Sequence, residues 1–409
     1  MKISNTWTPD VIKGIHLRSR IGRYKVRGFG SYRKMPNFDD LTFLPANLSR
    51  LAVEQYREEC SSKTVLGRRF AEQPLEIDIP IVIAPMSFGA LSKNAKIALA
   101  KGAALAGTAA STGEGGMLPE EREAAKKLFY QCTPGRYGFN PHDLRKADVI
   151  ELLISQGAKP GVGGHLMGDK VTDEIAKIRG IPKGIDLRSP CRHADVLGAD
   201  DLVMKVEELR EASDCRIPVS LKMGAGRVKE DVKIACKVGT DIIALDGMQG
   251  GTGASPEVVA EHVGVPSMAV VVQARQVLEE VGLEDKVDLI IMGGIRSGAD
   301  VAKALALGAS AVAIGTAAMI AMGCIGCMQC TTGKCPKGIA THDPVLTRRL
   351  DIDEAAERVC NLLKAMTMEA KMLAHLCGKT DVHNLEPEDL RALSMEASAI
   401  TGIPLVGTM

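Results

Sequence analysis

The chain is 409 residues long, 45% hydrophobic but only 3% aromatic, and it contains 42 glycines. That length suits a barrel-sized domain with insertions, and the small residues favour close helix–sheet packing and backbone that approaches a ligand. Lysine and arginine total 51 against 50 acidic residues, and a net charge of +1 argues against nucleic acid as the main partner.

The longest apolar stretch, 311–323, is too short to span a bilayer, which needs about 20 residues. No apolar run follows Met1-Lys2-Ile3-Ser4-Asn5, so no signal peptide is expected and a cytoplasmic location is. Of the eleven cysteines, seven are scattered and four crowd between Cys324 and Cys335. Such a cluster without a leader favours a metal site over disulfides.

Residues 1–75 alternate basic, polar and aromatic positions with no sustained period. They are expected to form an extension packed on the main domain, turning near Arg27-Gly28-Phe29-Gly30. From 76 to 345 the pattern is short apolar runs followed by helical stretches: Ile81–Met86, Gly107–Thr112, Ile217–Met223, Ile242–Asp246, Leu289–Met292 and Ala311–Ile314. Ser92 reads as the N-cap of a helix through Leu105. The runs are continuously apolar, as parallel strands buried on both faces are.

An open doubly wound sheet and a closed barrel both fit that alternation. No Gly-x-Gly-x-x-Gly follows the first run, and the phosphate-type turns come late, where a barrel places its seventh and eighth strands. The prediction is therefore an α/β fold, a (β/α)8 TIM barrel with an N-terminal extension and C-terminal helices. Residues 346–409 carry two helical patterns, 352–377 and 386–399, and form the C-terminal segment.

Two late turns carry the strongest chemistry. Met292-Gly293-Gly294-Ile295-Arg296-Ser297-Gly298 leads from a strand into a helix, and Ile314-Gly315-Thr316 ends the next strand. Glycine at a strand end lets backbone N–H groups face an anion, and a following helix N-terminus adds partial positive charge. Tight turns alone would also use these glycines, but two such turns at this spacing suit one phosphate gripped from both sides.

Leu245 to Gly253 is a glycine-dense strand end suited to cover a ligand, and Lys222 stands near the barrel mouth, where solvent exposure is its plainer fate. In Ser111–Gly116 and Gln156–His165, Glu114 and Lys159 each stand among glycines. Glu114 is a candidate acid or base and Lys159 a carboxylate binder; Arg179 adds a planar fork suited to a dicarboxylate. Cys324, Cys327, Cys330 and Cys335 have spacings of three, three and five, with Pro336 following, as in ferredoxin-type runs. Zinc is the competing occupant.

The strings Ala84 to Ser92, Thr112–Gly116, Gln156–Gly164, Gly250–Pro256, Gly293–Gly294, Gly315–Met322 and Cys335–Thr341 resemble the FMN- and 2-oxoglutarate-binding synthase domain of glutamate synthase. The resemblance implies FMN near Met86, Gln156, Lys222, Gly294, Gly315 and Thr316, with Ser87, Gly250, Gly251 and Gly293 in the same motifs. It implies 2-oxoglutarate near Lys159, Arg179, Glu114 and Arg136, with Glu114 and Lys159 as the catalytic candidates. His165 stands where the family usually has glutamine and is the expected point of departure on the substrate side.

Three cysteines spaced six and five hold a 3Fe-4S cluster in that family, here Cys324, Cys330 and Cys335. Cys327 is extra, and two places are open to it: fourth ligand of a 4Fe-4S cluster, or a neighbour of the 3Fe-4S one. No N-terminal cysteine nucleophile, glycine-repeat β-helix or NAD(P)H fingerprint is seen. Ammonia is therefore expected from a separate glutaminase subunit and electrons from a ferredoxin or reductase subunit, in a hetero-oligomer that includes a separate β-helix subunit.

The expected reaction is reductive amination of 2-oxoglutarate through 2-iminoglutarate. Val26–Gly30 and His383–Leu390 also resemble the third subunit of N-methylglutamate synthase, a methylamine–glutamate N-methyltransferase. Two further alternatives are an IMP-dehydrogenase-like barrel, which would use a lone catalytic cysteine, and a non-catalytic electron-relay subunit holding flavin and cluster.

Overall fold

The computed structural model describes residues 4–408. Eight parallel strands form one sheet: β1 (Ile81–Ile83), β2 (Ala109–Ser111), β3 (Lys127–Cys132), β4 (Val149–Leu153), β5 (Val219–Gly224), β6 (Ile242–Asp246), β7 (Asp288–Met292) and β8 (Ala311–Ile314). Their spatial order runs β1-β8-β7-β6-β5-β4-β3-β2, so the strands are consecutive around a ring. At the seam, Thr108 Oγ1 donates to Ile81 O at 2.6 Å. This is the predicted TIM barrel.

Two strands escaped the apolar-run reading, β3 and β4. Each carries a polar side chain into the barrel, and Gln131 Nε2 donates to Glu151 Oε1 at 2.8 Å. Both side chains are buried, and burial pushes the Glu151 carboxyl above its ordinary range. The interior is thus partly polar, which broke the hydrophobic signal in the sequence.

The N-terminal region is more ordered in pattern than its composition suggested. It includes a helix, Pro9–Ile21, with no buried residue, capped by Thr8 and closed by Gly22 in the left-handed conformation. An antiparallel hairpin, Thr64–Leu66 with Leu75–Ile77, crosses the boundary expected at residue 75. Leu66, Leu75 and Ile77 pack with Val82, Ile242 and Ile290 of the barrel interior, so the hairpin plugs the barrel at the N-terminal ends of its strands.

Helix Lys93–Leu105 starts at Ser92, whose hydroxyl accepts from Ala95 N, as expected. The long helix Ile352–Leu376 packs across it and across Gly298–Ala306. A Cβ at Gly102 would lie 2.8 Å from Ala356 O, so the abundance of small residues is what permits this approach. The second C-terminal helical pattern is corrected. Over 386–399 the chain makes a 3-10 turn at Pro387–Asp389, a strand Leu390–Ala392 paired with Leu41–Phe43, and a helix Met395–Thr401. Pro387 and the edge pairing with the N-terminal region interrupt what periodicity alone reads as one helix. No helix among the described residues is long and apolar enough to cross a membrane.

Candidate active site

A cavity of about 540 Å³ opens at the C-terminal ends of the strands, within the usual range for a cofactor site. Its walls are the loops the strands lead into: Ala84–Leu91 after β1, Gln156 and Lys159 after β4, Asp246–Ala254 at β6, Met292–Arg296 at β7 and Ile314–Thr316 at β8. Met86, Ser87, Glu114, Gln156, Lys159, His165, Arg179, Lys222, Gly250, Gly251, Gly293, Gly294, Gly315 and Thr316 all line it. Arg136 does not: its guanidinium is more than half exposed and pairs with Asp195 at 2.6 Å.

The two glycines after β7 sit where side chains would collide. Gly293 and Gly294 have φ of 99° and 80°, and a Cβ at Gly294 would lie 2.8 Å from Gln249 Cβ. Only glycine adopts such backbone at little cost, and the two turns bring bare amide backbone to the cavity on the adjacent strands β7 and β8.

Lys222 is buried, not solvated. Its Nζ lies 3.3 Å from Asp246 Oδ2 and 2.9 Å from Met292 Sδ. The same Asp246 oxygen accepts from Gly157 N at 2.8 Å, so one carboxylate fixes the lysine and the loop after β4 together. Asp246 lies inside a motif the sequence reading quoted, yet its role as a hub was missed.

Lys159 is 4% exposed, and its Nζ donates to Ala254 O at 2.9 Å. Burial lowers its pKa to about 8, against the opposing pull of nearby Glu114. The Glu114 carboxyl accepts a hydrogen bond from Ser189 Oγ, a partner with no local motif to mark it. A Cβ on Gly164 would come within 1.9 Å of Glu114 Oε2, so the Gln156–His165 glycines make room for that carboxyl.

Arg179 is buried, and its fork is already engaged: Nε and Nη2 donate to Phe88 O at 3.2 and 2.6 Å, and Nη2 to Glu114 O at 3.0 Å. Among the described residues only Nη1 has no protein acceptor. A bidentate grip on a substrate is therefore not open to it. His165 lies 3.6 Å by Nε2 from Asp186 Oδ2, and that ring nitrogen is buried with no hydrogen bond.

Behind the cavity, Lys96 and Glu121 form a buried pair at 2.7 Å. Lys96 Nζ also donates to Met86 O, Ser111 O and Thr112 O, which locks the ends of β1 and β2. In front, the N-terminal segment crosses as a strap. Val26 and Arg27 pair with Pro256 and Ser255, and Phe29 N donates to Thr252 O at 2.8 Å. Phe29, Gly30 and Ser31 join the cavity wall, a role that the expected turn at 27–30 did not reveal.

The cysteine run forms a loop against this wall. Cys324, Cys327, Cys330 and Cys335 line one apolar recess with Phe29 and Met319, and Cys330 also lines the main cavity. Burial pushes the Cys330 thiol up to about 11 and raises Cys324. Among the described residues, no three of these sulfurs lie within 4.8 Å of one another.

The conserved region of glutamate synthase matches residues 9–380. Over 99% of its length the chain is 51% identical to a glutamate synthase large subunit-like protein of Rhizobium meliloti, of which it covers 95%. It is 39% identical to an archaeal glutamate synthase [NADPH] of Methanocaldococcus jannaschii, over 93% of this chain and 80% of that one. Among solved structures, a flavocytochrome b2 mutant with sulfite bound has a TM-score of 0.56 at 19% identity, covering 91% of this chain and 80% of that one. A lactate oxidase of Pediococcus acidilactici also scores 0.56, at 16% identity, covering 87% and 84%.

Proposed function

Because the chain belongs to the glutamate synthase family, we propose that it is the synthase-type subunit of a glutamate synthase, binding FMN and an iron–sulfur cluster and reductively aminating 2-oxoglutarate. One observation carries the reading. A single cavity gathers Lys159, Glu114 and Arg179, the two glycine turns of β7 and β8, and Cys330.

The residues fit the groups. Gly293-Gly294 and Gly315-Thr316 would hold the FMN phosphate with backbone amides, while Met86, Ser87, Gln156, Gly250, Gly251 and Lys222 would border the ring. Bound FMN would supply a hydride to the carbon being aminated. Cys324, Cys330 and Cys335 would hold the cluster, which delivers electrons singly. Cys327, on the same recess, is its additional neighbour. Loading the cluster would strip the protons that burial keeps on Cys324 and Cys330.

Lys159 binds the substrate dicarboxylate: it is the buried cation of the cavity with one carbonyl acceptor and ammonium protons to spare. Arg179 adds one donor, Nη1, and otherwise fixes the Phe88 and Glu114 backbone. Glu114, oriented by Ser189, exchanges protons with the incoming ammonia and with the imine nitrogen of 2-iminoglutarate. The strap at Phe29–Ser31 and the Gly250–Ala254 loop keep water from that intermediate, which would otherwise hydrolyse.

Ammonia would arrive from a glutaminase subunit and electrons from a ferredoxin or reductase subunit. A second reading is favoured by His165, which puts an unpartnered imidazole nitrogen where a substrate-side group is expected. In that reading methylamine is moved onto glutamate with release of ammonia, and N-methylglutamate is the product.

The test is anaerobic purification with co-eluting chains, followed by flavin and iron analysis and assay with 2-oxoglutarate, a reductant and ammonia, and separately with glutamate and methylamine. A flavin spectrum and glutamate are expected. A sample that takes up no flavin would sink the reading, and N-methylglutamate as the main product would replace it with the second.

A further inference from the structure

We infer that Lys170 is a positioning residue that ties the cysteine loop to the cavity wall and keeps a positive charge beside the iron–sulfur cluster, raising its reduction potential. The inference rests on the cluster reading above.

Lys170 ends the short 3-10 turn Gly168–Lys170 and is 4% exposed. Its Nζ donates to Cys330 O at 3.1 Å and to Ala90 O at 2.8 Å. Its stem lies against Gly333, where a Cβ would meet Lys170 Cγ at 3.3 Å. The cysteine loop therefore wraps the side chain from stem to head.

Ala90 is the last of three consecutive carbonyls held by three side chains. Phe88 O accepts from Arg179, Gly89 O accepts from His342 Nε2 at 2.8 Å, and Ala90 O accepts from Lys170. His342 follows the cysteine run in sequence, and its ring meets Phe88 edge-on at 5.6 Å. Two of the three struts thus run from the cysteine side into the Ser87–Leu91 loop that walls the cavity.

The charge needs an explanation of its own. No carboxylate among the described residues pairs with Lys170. Its charged and titratable neighbours are Cys330, Cys335, His342 and a second cation, Arg179. A buried ammonium with two carbonyl acceptors and no counter-ion is costly, and thiolates bound to an iron–sulfur cluster supply the missing negative charge. An electron added to the cluster increases that charge, so a fixed cation favours the reduced state and its removal lowers the potential.

The experiment compares the wild-type holoenzyme with Lys170→Met and Lys170→Arg, measuring iron content, EPR-monitored midpoint potential and FMN dissociation. Lys170→Met is expected to keep iron, to lose about 59 mV or more of midpoint potential, a tenfold change for one electron, and to release FMN several-fold faster. Lys170→Arg is expected to stay near wild type in potential. A Met variant with full iron and an unchanged potential overturns the inference. If the Met variant sheds iron, retention by the Arg variant supports it and loss from both overturns it. Wild-type protein without iron fails the cluster reading itself, before any variant is compared, and this inference falls with it.

Discussion

Asp246 Oδ2 is shared between Lys222 Nζ, at 3.3 Å, and Gly157 N, at 2.8 Å, so one buried carboxylate joins β5, β6 and the loop after β4. Replacing it with asparagine keeps an oxygen for the amide but removes the counter-ion of a lysine that is only 3% exposed. Breaking a buried pair by removing one partner costs about 3–5 kcal/mol. Asp246→Asn is therefore expected to lower the midpoint of chemical unfolding and to weaken flavin retention. Wild-type stability and flavin content in that variant would show that Lys222 does not depend on it.

Lys159 gives the site a pH dependence. Burial holds its pKa at about 8, below the usual lysine value. The free enzyme thus has the ammonium below pH 8 and loses it as pH rises through that value, while a bound dicarboxylate favours the protonated form. Affinity for 2-oxoglutarate is expected to be flat at lower pH and to fall by up to about tenfold per unit above pH 8. Calorimetric titration across that range checks it, and Lys159→Arg, charged throughout, should flatten the profile. A wild-type affinity that stays flat well above pH 8 would remove Lys159 from the carboxylate site.

The parts of this molecule that were readable in sequence share a cause. Strands β1, β2, β5, β6, β7 and β8 stood out because runs buried on both faces must be apolar, and Gly293 and Gly294 stood out because their turn excludes side chains. Strands β3 and β4 were hidden by Gln131 and Glu151, polar residues that only a closed barrel brings together. Ser189, Lys170 and the Phe29–Ser31 strap were hidden for another reason. Each lies far in sequence from what it touches, and serine, lysine or phenylalanine in a loop carries no local signature. Arg136 is the reverse case, carrying the right chemistry at a place the chain does not fold toward the cavity.

That misplacement separates two arginines. Arg136 is exposed and paired with Asp195, while Arg179 is buried on Phe88 O and Glu114 O. Arg136 lies outside the cavity and its exposed ion pair contributes little, so Arg136→Ala should change 2-oxoglutarate affinity less than about twofold. Arg179→Ala strands two buried carbonyls and should abolish turnover while destabilising the Phe88 loop. A large affinity loss in Arg136→Ala, measured beside Arg179→Ala, would mean that the Thr133–Gly138 turn moves onto the substrate.

The cysteines divide in the same way. Cys330 faces both the recess and the cavity, and a Cβ on Gly28 would sit 3.3 Å from its sulfur. Cys330→Ser is expected to lose the cluster, and Gly28→Ala to press on it. With Cys324, Cys330 and Cys335 as the ligands, Cys327→Ser should keep its iron and its EPR signal. Loss of one iron per chain in Cys327→Ser would instead make it the fourth ligand.

Gly164 tests the proton-transfer assignment without touching a charged group. It has no positive φ to explain it, yet a Cβ there would lie 1.9 Å from Glu114 Oε2 and 2.9 Å from Ser189 Oγ. Alanine must therefore push the carboxylate from its hydrogen bond with Ser189, leaving the glycine turns of β7 and β8 undisturbed. A general acid or base contributes about 10²- to 10⁴-fold, and displacing one forfeits part of that. Gly164→Ala is expected to lower kcat at least about tenfold with flavin absorbance unchanged. Ser189→Ala should lower kcat in the same direction as Gly164→Ala, because both release the same carboxyl. If Gly164→Ala keeps its turnover, the Glu114 carboxyl is not the group that moves the proton, and the role passes to Lys159.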